Sequence, residues 1–313
     1  MSPILERSFE SQYHAPVMVG EVLHALHGAR NVLDCTLGGG GHSLALAQTG
    51  ATVTAIDRDA DAITEAAGRL RDFAAIGRFR AVRGDFTRLE EIPALGGASF
   101  DGILADLGVS SAQIDTDARG FSFRPGVPLD MRMSGSGKSA AELLNTASQE
   151  ELATIFRDYG DEPRARRLAG EVVRRRETRD FLSADDLVGA IRGAFGATSG
   201  PPDFARLFQA VRIAVNDELA GLERALPDLR DMLAPGGVVA IISYHSGEDR
   251  LVKHAMRDWS TACHCPPRQP VCTCGGVARG ALLSRKSIQA GADEIVHNSR
   301  ARSARLRAWR KAA

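Results

Sequence analysis

Short apolar runs separated by glycine-rich or polar turns recur along the first third of the chain, and four of them are typical of buried strands. The predicted strands are Asn31–Asp34, Ala51–Asp57, Phe79–Arg83 and Phe100–Asp106. Helix-like stretches lie at Gly20–Leu26, Ser43–Gln48 and Ala60–Phe73. Strands that alternate with helices in this way predict a parallel sheet that is covered on both faces.

The pattern changes near Asp115, where strand-like runs give way to amphipathic helices. These helices are predicted at Ala140–Thr146, Gln149–Tyr159, Glu162–Glu177, Ser183–Phe195 and Ala205–Leu226. Strand character resumes at Val238–Ser243, after a predicted turn at Leu233–Gly237. The alternation of Ala304, Leu306 and Ala308 predicts a closing strand, with a disordered basic tail as the alternative.

This pattern predicts three segments in the chain. Residues 1–12 form an N-terminal arm, residues 13–114 and 217–313 form a sheet domain, and residues 115–216 form an inserted helical domain. A length of 313 residues is sufficient for two domains with substantial cores.

Four consecutive glycines, Gly38–Gly41, follow the first predicted strand and indicate a cofactor cradle. Glycine permits unusual dihedrals and leaves room for a ligand that a Cβ would occupy. Asp57 ends the next strand, nineteen residues past Gly38, where an acid typically binds ribose hydroxyls. Ser43 stands where a dinucleotide fingerprint has its third glycine. The pattern therefore favours an adenosine ligand without a pyrophosphate, of which S-adenosylmethionine is the common example.

Polar residues stand at the carboxyl ends of successive predicted strands. Parallel sheets bind ligands at this edge. The acids at this edge are Asp34, Asp57, Asp85 and Asp106, and the later strand adds Tyr244, His245 and Ser246. Phe86 follows Asp85 and either stacks near an adenine ring or belongs to the core. Acids that close apolar strands are hard to explain as solvated surface, so we predict a ligand site here.

Composition and charge limit the classes of molecule that the protein is expected to bind. The chain has 39 basic and 39 acidic residues, so any nucleic-acid binding must come from local patches. Arginines of one predicted helix could meet phosphates, or could form a solvated face with Glu171 and Glu177. They are Arg164, Arg166, Arg167, Arg174, Arg175, Arg176 and Arg179.

The N-terminus lacks a signal pattern and no apolar run approaches the roughly 18 residues of a membrane helix, so we expect a cytoplasmic protein without membrane association.

The five cysteines do not suggest a secreted disulfide framework. Four of them form two pairs, Cys263 with Cys265 and Cys272 with Cys274. Four thiols could bind zinc tetrahedrally, yet Cys-x-Cys spacing is less typical than Cys-x-x-Cys. Adjacent prolines and glycines indicate a surface loop, and the predicted site contains no metal.

With these residues laid out, the sequence resembles the RsmH (MraW) family, which methylates cytosine N4 in small-subunit ribosomal RNA. The motifs that carry the resemblance span nearly the whole chain in order. They are His14-Ala-Pro-Val, Asp34-Cys-Thr-Leu-Gly-Gly-Gly-Gly-His-Ser, Ile56-Asp-Arg-Asp59, Asp101-Gly-Ile-Leu-Ala-Asp-Leu-Gly-Val-Ser-Ser111, Arg119-Gly-Phe-Ser-Phe, Pro128-Leu-Asp-Met-Arg132, Phe208-Gln-Ala-Val-Arg-Ile-Ala-Val-Asn216, Ile242-Ser-Tyr-His-Ser246 with Glu248-Asp-Arg, and Arg300-Ala-Arg-Ser-Ala. Tyr244 stands where the family usually has Phe, and Gly247 where it usually has Leu.

The resemblance implies an α/β fold, namely the Rossmann-like sheet of class I S-adenosylmethionine-dependent methyltransferases, interrupted by an all-helical domain that helps to hold RNA. It implies S-adenosylmethionine binding at Gly40, Gly41, His42, Asp57, Phe86, Asp106 and Gln113. We expect substrate contacts at Tyr244, His245, Ser246 and Arg300. The expected partner is 16S ribosomal RNA in the decoding region of the small subunit, and homodimer formation is left open.

The exocyclic amine of cytosine is a poor nucleophile because its lone pair is delocalised into the ring, so catalysis needs orientation more than a strong base. We hypothesise that the cytidine is splayed out of its stack and that Asp106 or a neighbouring carbonyl accepts a hydrogen bond from the amine. Asp106 could instead contact only the cofactor, and His245 could orient the base or only cap the strand edge. A non-catalytic RNA-binding factor and a nucleotide-dependent oxidoreductase are the alternative function classes.

Overall fold

The computed structural model describes Phe9 and residues 16–263, 265–266, 269, 271 and 273–313. The predicted arm at 1–12, apart from Phe9, and the motif residue His14 therefore lie outside the described residues. The chain divides into two compact units, residues 1–108 with 219–313 and residues 109–218. We call them the sheet unit and the helical unit. The helical unit extends beyond the predicted insert of 115–216 at both ends.

The secondary structure follows the predicted order closely. The strands are β1 (Asn31–Asp34), β2 (Thr52–Asp57), β3 (Phe79–Arg83), β4 (Phe100–Asp106), β5 (Leu233–Ser243), β6 (Gly280–Leu282), β7 (Ile288–Gln289) and β8 (Arg305–Lys311). The helices are α1 (Val19–Ala25), α2 (Gly41–Gln48), α3 (Ala60–Arg69), α4 (Arg71–Ala75), α5 (Ser111–Asp115), α6 (Ala140–Thr146), α7 (Gln149–Asp158), α8 (Ala165–Arg176), α9 (Ala184–Phe195), α10 (Pro201–Asn216), α11 (Glu218–Asp231), α12 (Ser246–Trp259) and α13 (Ala292–His297). Among the described residues, no helix combines the length and the apolar character that crossing a bilayer requires.

The strands form one sheet in the order β3-β2-β1-β4-β5-β8-β6, and β7 also pairs with β8. Strands β1 to β5 pair in parallel, whereas β8 runs antiparallel to β5, with Ile242 opposite Leu306. The strand order reverses between β1 and β4, and ligands of such sheets bind at that switch point, beyond the carboxyl ends of the strands. The predicted Rossmann-like sheet and its closing strand are confirmed.

Both faces of the sheet are buried, which explains why the strands read as nearly continuous apolar runs. Neighbouring residues contribute to opposite layers: Val32 and Leu104 pack on one side of the sheet, and Leu33 and Ile103 pack on the other. The helical unit has its own core, formed by the apolar faces of its helices. Each unit therefore buries the hydrophobic surface that its own pattern predicts.

Three predicted elements differ from the observed ones. The helix predicted at Ala60–Phe73 is interrupted at Leu70, and the helix predicted at Ala205–Leu226 is interrupted at Asp217, which has a φ of 51°. Apolar periodicity does not report such a left-handed residue, because Asp tolerates this conformation without changing the pattern on either side. The predicted turn at Leu233–Gly237 belongs to β5, as a register irregularity in its pairing with β4.

Candidate active site

The first three strands lead into the same kind of turn. In each turn an aspartate carboxylate accepts the backbone N–H of the residue two positions later, which bends the chain sharply. The pairs are Asp34 with Thr36 (3.1 Å), Asp57 with Asp59 (2.9 Å) and Asp85 with Thr87 (2.9 Å). These acids therefore have a structural task at the sheet edge, in addition to any contact with a ligand.

Asp57 also holds the glycine turn. Its second carboxylate oxygen accepts the backbone N–H of Gly38 at 2.8 Å, which ties the turn after β1 to the end of β2. Burial raises the pKa of Asp57, and the hydrogen bonds from Asp59 and Gly38 partly offset that rise. Each carboxylate oxygen has two lone pairs, so Asp57 keeps acceptor capacity for ribose hydroxyls.

Ser43 has a specific partner in this turn. Its hydroxyl donates a 2.7 Å hydrogen bond to Oδ2 of Asp34, and both residues are fully buried. Burial raises the pKa of Asp34, although the Ser43 hydrogen bond acts against the rise. A serine therefore replaces the third glycine of a dinucleotide fingerprint because its hydroxyl satisfies a buried carboxylate.

Two glycines of the turn are required by protein packing. A Cβ on Gly40, whose φ is 75°, would lie 2.8 Å from Cδ1 of Leu70. A Cβ on Gly41 would lie 2.7 Å from Cγ of Pro16 and 2.9 Å from the carbonyl oxygen of Phe9. Neighbouring parts of the chain fill the space that a Cβ would take at these two positions. The left-handed φ of Gly40 agrees with the dihedral freedom expected of the glycine turn, and the close approach of a ligand stays a prediction.

Asp106 is the centre of a buried polar group at the end of β4. Its backbone N–H donates to Oγ1 of Thr36 at 2.7 Å, and its Oδ1 accepts the hydroxyl of Tyr244 at 2.8 Å. Its Oδ2 lies 3.4 Å from Nε2 of His42. Opposite charges attract at this distance, but the two atoms do not have hydrogen-bond geometry. The side chains of His42 and Asp106 are only 5% and 7% exposed. The structure thus brings together three residues that the sequence assigned to one site.

Nearby carboxylates shift the pKa values of His42 and Tyr244 in this group. Burial disfavours the charged imidazole, but Asp106, Asp34 and Glu294 outweigh it and raise the pKa of His42. Burial, reinforced by Asp106, raises the pKa of Tyr244 well above its ordinary value. The phenol therefore stays protonated and remains a donor to Asp106. Near neutral pH the group combines a phenol donor, a carboxylate acceptor and an imidazole that can carry a proton.

Glu294 is a functional candidate that reasoning from the sequence missed. Its Oε1 accepts the backbone N–H of Met18 at 2.7 Å, and its charge acts on both His42 and Tyr244. It lies on the short helix α13, close to the C-terminus. Only the two-residue strand β7 precedes its helix, too short for an apolar run to show in the sequence, so the pattern carried no signal for Glu294.

His245 and Glu248 organise the chain after β5. Oε2 of the buried Glu248 accepts the backbone N–H of Tyr244 at 2.8 Å. Nδ1 of His245 accepts the backbone N–H of Gly247 at 3.2 Å, which makes His245 the N-cap of α12. The other ring nitrogen, Nε2, lies 3.2 Å from Oε1 of Glu248. This geometry matches the alternative in which His245 caps the strand edge.

The remaining predicted residues are less tightly connected to this group. Phe86 is half-buried and packs against the core of the sheet unit. Gln113 lies in the helical unit, where its side chain accepts the backbone N–H of Ser110 at 3.0 Å. Ser246 is exposed at the first position of α12, and the backbone N–H of Arg300 donates to Oδ1 of Asn298 at 3.1 Å. Their predicted ligand contacts stay predictions.

Three family motifs meet inside the helical unit. Nδ2 of Asn216 donates to the carbonyl of Met131 at 2.7 Å, and its Oδ1 accepts the backbone N–H of Met133 at 2.9 Å. The guanidinium of Arg119 donates to the carbonyl of Met133 at 2.9 Å. The chain around Met131 and Met133 is therefore held by residues that are far apart in the sequence.

The basic helix α8 uses part of its charge internally. Arg174 and Arg175 each place a guanidinium nitrogen 2.7 Å from Oε1 of Glu171, and these contacts lower the pKa of Glu171 to about 2. Arg166 and Arg167 are exposed and have no acidic partner within ion-pair distance in the described part of the chain. The alternative of a paired helix face therefore holds for Arg174 and Arg175, whereas phosphate contacts of Arg166 and Arg167 stay a prediction.

Two observations test whether the sheet edge fits S-adenosylmethionine. Nδ1 of His42 is a buried polar atom without a hydrogen-bond partner among the described residues, a deficit that a ligand group would remove. The carboxylates of Asp34, Asp57 and Asp106 make the edge acidic, which suits a ligand with a cationic sulfonium and ribose hydroxyls. The residues present therefore fit this cofactor.

The chain is similar to solved structures at low identity. The match to TrmN from Thermus thermophilus covers 94% of this chain and 48% of that chain, with 13% sequence identity and a TM-score of 0.42. An rRNA methylase from Streptococcus thermophilus gives 12% identity and a TM-score of 0.41, with 94% of each chain covered. The fold assignment rests on the strand order itself.

Comparison of sequences assigns the chain to a family, which comparison with the solved structures does not. Ribosomal RNA small subunit methyltransferase H from Gemmatimonas aurantiaca is 59% identical over 301 residues, which are 96% of each chain. The protein of the same name from Anaeromyxobacter sp. (strain K) is 48% identical over 305 residues, 95% of this chain and 97% of that protein. The MraW methylase family matches residues 11–312, which decides against the two alternative function classes. The chain belongs to the MraW methylase family and is an S-adenosylmethionine-dependent methyltransferase.

Proposed function

We propose that this enzyme methylates the exocyclic N4 amine of a cytidine in the decoding region of 16S ribosomal RNA. The relatives named above carry a small-subunit rRNA methyltransferase name over nearly their full length, which supports the RNA class. The observation that carries the proposal is the buried Asp106 carboxylate, held by the Tyr244 hydroxyl at the switch point of the sheet. This substrate would also place the enzyme in the cytoplasm, where ribosomal subunits are assembled.

The chemistry needs an amine that is held and oriented. S-adenosylmethionine supplies an electrophilic methyl group on its sulfonium when it is bound. In our proposal, Asp106 accepts one N–H of the amine and thereby directs the nitrogen toward that methyl group. Orientation of this kind contributes up to about 7 to 11 kcal/mol in favourable cases. It avoids the strong base that a delocalised amine would otherwise require.

The surrounding residues hold Asp106 in position. Tyr244 occupies Oδ1 with its hydroxyl, so the carboxylate is restricted in rotation and Oδ2 stays on the side of His42. Glu248 fixes the backbone at Tyr244 through its 2.8 Å hydrogen bond. A buried carboxylate with one oxygen already satisfied is pre-organised to accept a single N–H donor.

The cofactor contacts belong to the same proposal. Asp57 would bind the ribose hydroxyls, and Nδ1 of His42 would contact a polar group of the cofactor. The turn containing Gly40 and Gly41 would position the methionine part of the cofactor, as the family resemblance implies. Phe86 and Gln113 complete the cofactor set by resemblance.

The test uses small ribosomal subunits, and naked 16S rRNA in parallel, from a strain that lacks this enzyme. We expect the wild-type protein to produce N4-methylcytidine at one site, detected by mass spectrometry of nucleosides and of nuclease fragments. A methyl group on another base or another atom of cytosine would contradict the proposed substrate. Comparing the two RNA preparations identifies the form of the RNA that the enzyme accepts.

A further inference from the structure

A loop of nineteen residues, 260–278, connects α12 to the segment before β6 and contains four of the five cysteines. Its ends are joined, because the backbone N–H of Arg279 donates to the carbonyl of Trp259 at 2.8 Å. Loops of this length without regular structure are uncommon unless something else stabilises them. Among the loop residues that the structure describes, the apolar side chains of Val271 and Val277 are 71% and 82% exposed and contribute to no core.

Three thiols of this loop converge. The sulfur atoms of Cys263, Cys265 and Cys274 all lie within 4.8 Å of one another. The sulfurs of Cys263 and Cys274, eleven residues apart in sequence, are separated by 3.9 Å. Polar loop atoms near them also pair, because Nε2 of Gln269 donates to Oγ1 of Thr273 at 2.7 Å.

The spacing between the sulfurs distinguishes two kinds of cross-link. A disulfide would require a sulfur separation of about 2.05 Å. A tetrahedral zinc site with Zn–S bonds of about 2.3 Å places its sulfurs roughly 3.8 Å apart. The observed 3.9 Å between Cys263 and Cys274 matches the edge of such a tetrahedron.

The backbone around the sulfurs has a form that suits thiolate ligands. The N–H groups of Thr273 and Cys274 hydrogen-bond to the sulfur of Cys265. Gly275, directly after Cys274, has a φ of 58°, a conformation that glycine adopts without strain. This tight turn directly follows Cys274, whose sulfur lies near those of Cys263 and Cys265.

We propose that Cys263, Cys265 and Cys274 bind a structural zinc ion that closes this loop. Three thiolates at tetrahedral spacing favour zinc over harder cations such as magnesium or calcium. A metal cross-link would stabilise the loop where its described valines contribute no buried core. The spacing of the cysteines and the prolines and glycines beside them favoured a surface loop without metal, whereas folding brings three of the sulfurs together.

The experiment measures zinc in the full-length protein, purified under reducing conditions without a chelator. We expect about one zinc per chain in the parent protein and almost none in the double variant Cys263→Ser/Cys265→Ser. Val277→Ser is the matched control, because it changes an exposed residue of the same loop and should retain the metal. Limited proteolysis should cut the loop of the cysteine variant and of chelator-treated parent protein, but not that of the control.

Cobalt substitution tests the site without any variant. The cobalt-loaded parent protein should show the strong visible absorption of tetrahedral thiolate coordination. Zinc absent from the parent, or zinc retained equally by the cysteine variant, would overturn the proposal. A disulfide among these cysteines in protein purified anaerobically would overturn it as well. None of these outcomes depends on which RNA the enzyme methylates.

Discussion

The hydroxyl of Tyr244 donates a 2.8 Å hydrogen bond to Oδ1 of Asp106, and so connects the carboxyl ends of the neighbouring strands β5 and β4. The two residues are 138 positions apart in the sequence. A phenylalanine at position 244 could not make this bond. The hydroxyl therefore gives this chain a contact that restricts the rotation of its proposed catalytic carboxylate.

Substitution of these two residues should separate catalysis from cofactor binding. Asp106→Asn should lower the single-turnover methylation rate by roughly 10²- to 10³-fold, because the amide presents an N–H where an acceptor is needed. Tyr244→Phe should cost about fivefold, equivalent to one hydrogen bond of about 1 kcal/mol. Isothermal titration with S-adenosylmethionine should show a much smaller loss for both variants. Equal losses of rate and cofactor affinity in Asp106→Asn would assign Asp106 to the cofactor alone.

Ser43→Ala should destabilise the sheet unit. The substitution leaves Oδ2 of the buried Asp34 without its 2.7 Å hydrogen bond, which typically costs about 1 to 3 kcal/mol. Urea denaturation should show this loss. Thr64→Ala is the control, because its hydroxyl donates to the carbonyl of Ala60 on an exposed helix face, and it should change stability by less than about 0.5 kcal/mol. Equal stability of the two variants would show that the Asp34 contact contributes nothing.

His245→Ala should affect stability more than chemistry. Loss of the N-cap of α12 should lower the free energy of unfolding by about 0.5 to 2 kcal/mol. The pH profile of single-turnover methylation should keep the shape of the parent's profile, because Nδ1 of His245 accepts backbone N–H groups. His245→Asn supplies another capping acceptor and should restore most of the stability. A titration step missing from the profile of both variants would instead make His245 an acid or base.

The ion pairs of Glu171 should stabilise the helical unit in a pH-dependent way. Its pKa is lowered from 4.5 to about 2, so the folded state favours the carboxylate. The stabilisation is complete above pH 4.5 and is lost as the pH falls toward about 2. Glu171→Gln should therefore cost about 1 kcal/mol at neutral pH, and progressively less below pH 4.5, in denaturant titrations. A cost that is independent of pH would mean that packing of the side chain, not its charge, matters.

The outward arginines of α8 should contribute to RNA binding. Replacing Arg166 and Arg167 by Gln should weaken binding to 16S rRNA and lower the slope of log K against log salt by about 0.7 for each phosphate that the variant no longer neutralises. Arg174→Gln removes a charge from the same helix that is already paired with Glu171, so it serves as the control and should change the slope less. Filter binding at several salt concentrations measures both. Similar slopes for all proteins would place the RNA-binding residues on other surfaces.

Much of the sheet unit could be predicted from local patterns. Strands β3 and β4 begin and end where the apolar runs do. The spacing from Gly38 to Asp57 marked both residues as parts of one site, and in the structure they lie in hydrogen-bond contact at 2.8 Å. These predictions succeed because a strand that is buried on both faces must be apolar throughout, and because a turn at the sheet edge needs particular residues. Such requirements act within a few residues of the chain.

Other features depended on how distant segments come together. The contact of Glu294 with Met18, the bond from Tyr244 to Asp106 and the spacing of the sulfurs in the 260–278 loop were not visible in any local pattern. Hydrophobic periodicity reports which face of an element is buried, but it carries no information about the partner of a polar side chain. The sequence by itself determined the first four strands, the glycine turn and the approximate position of the helical insert. Only the tertiary structure decided which charges and donors meet, because strand order and side-chain geometry bring them within hydrogen-bond distance.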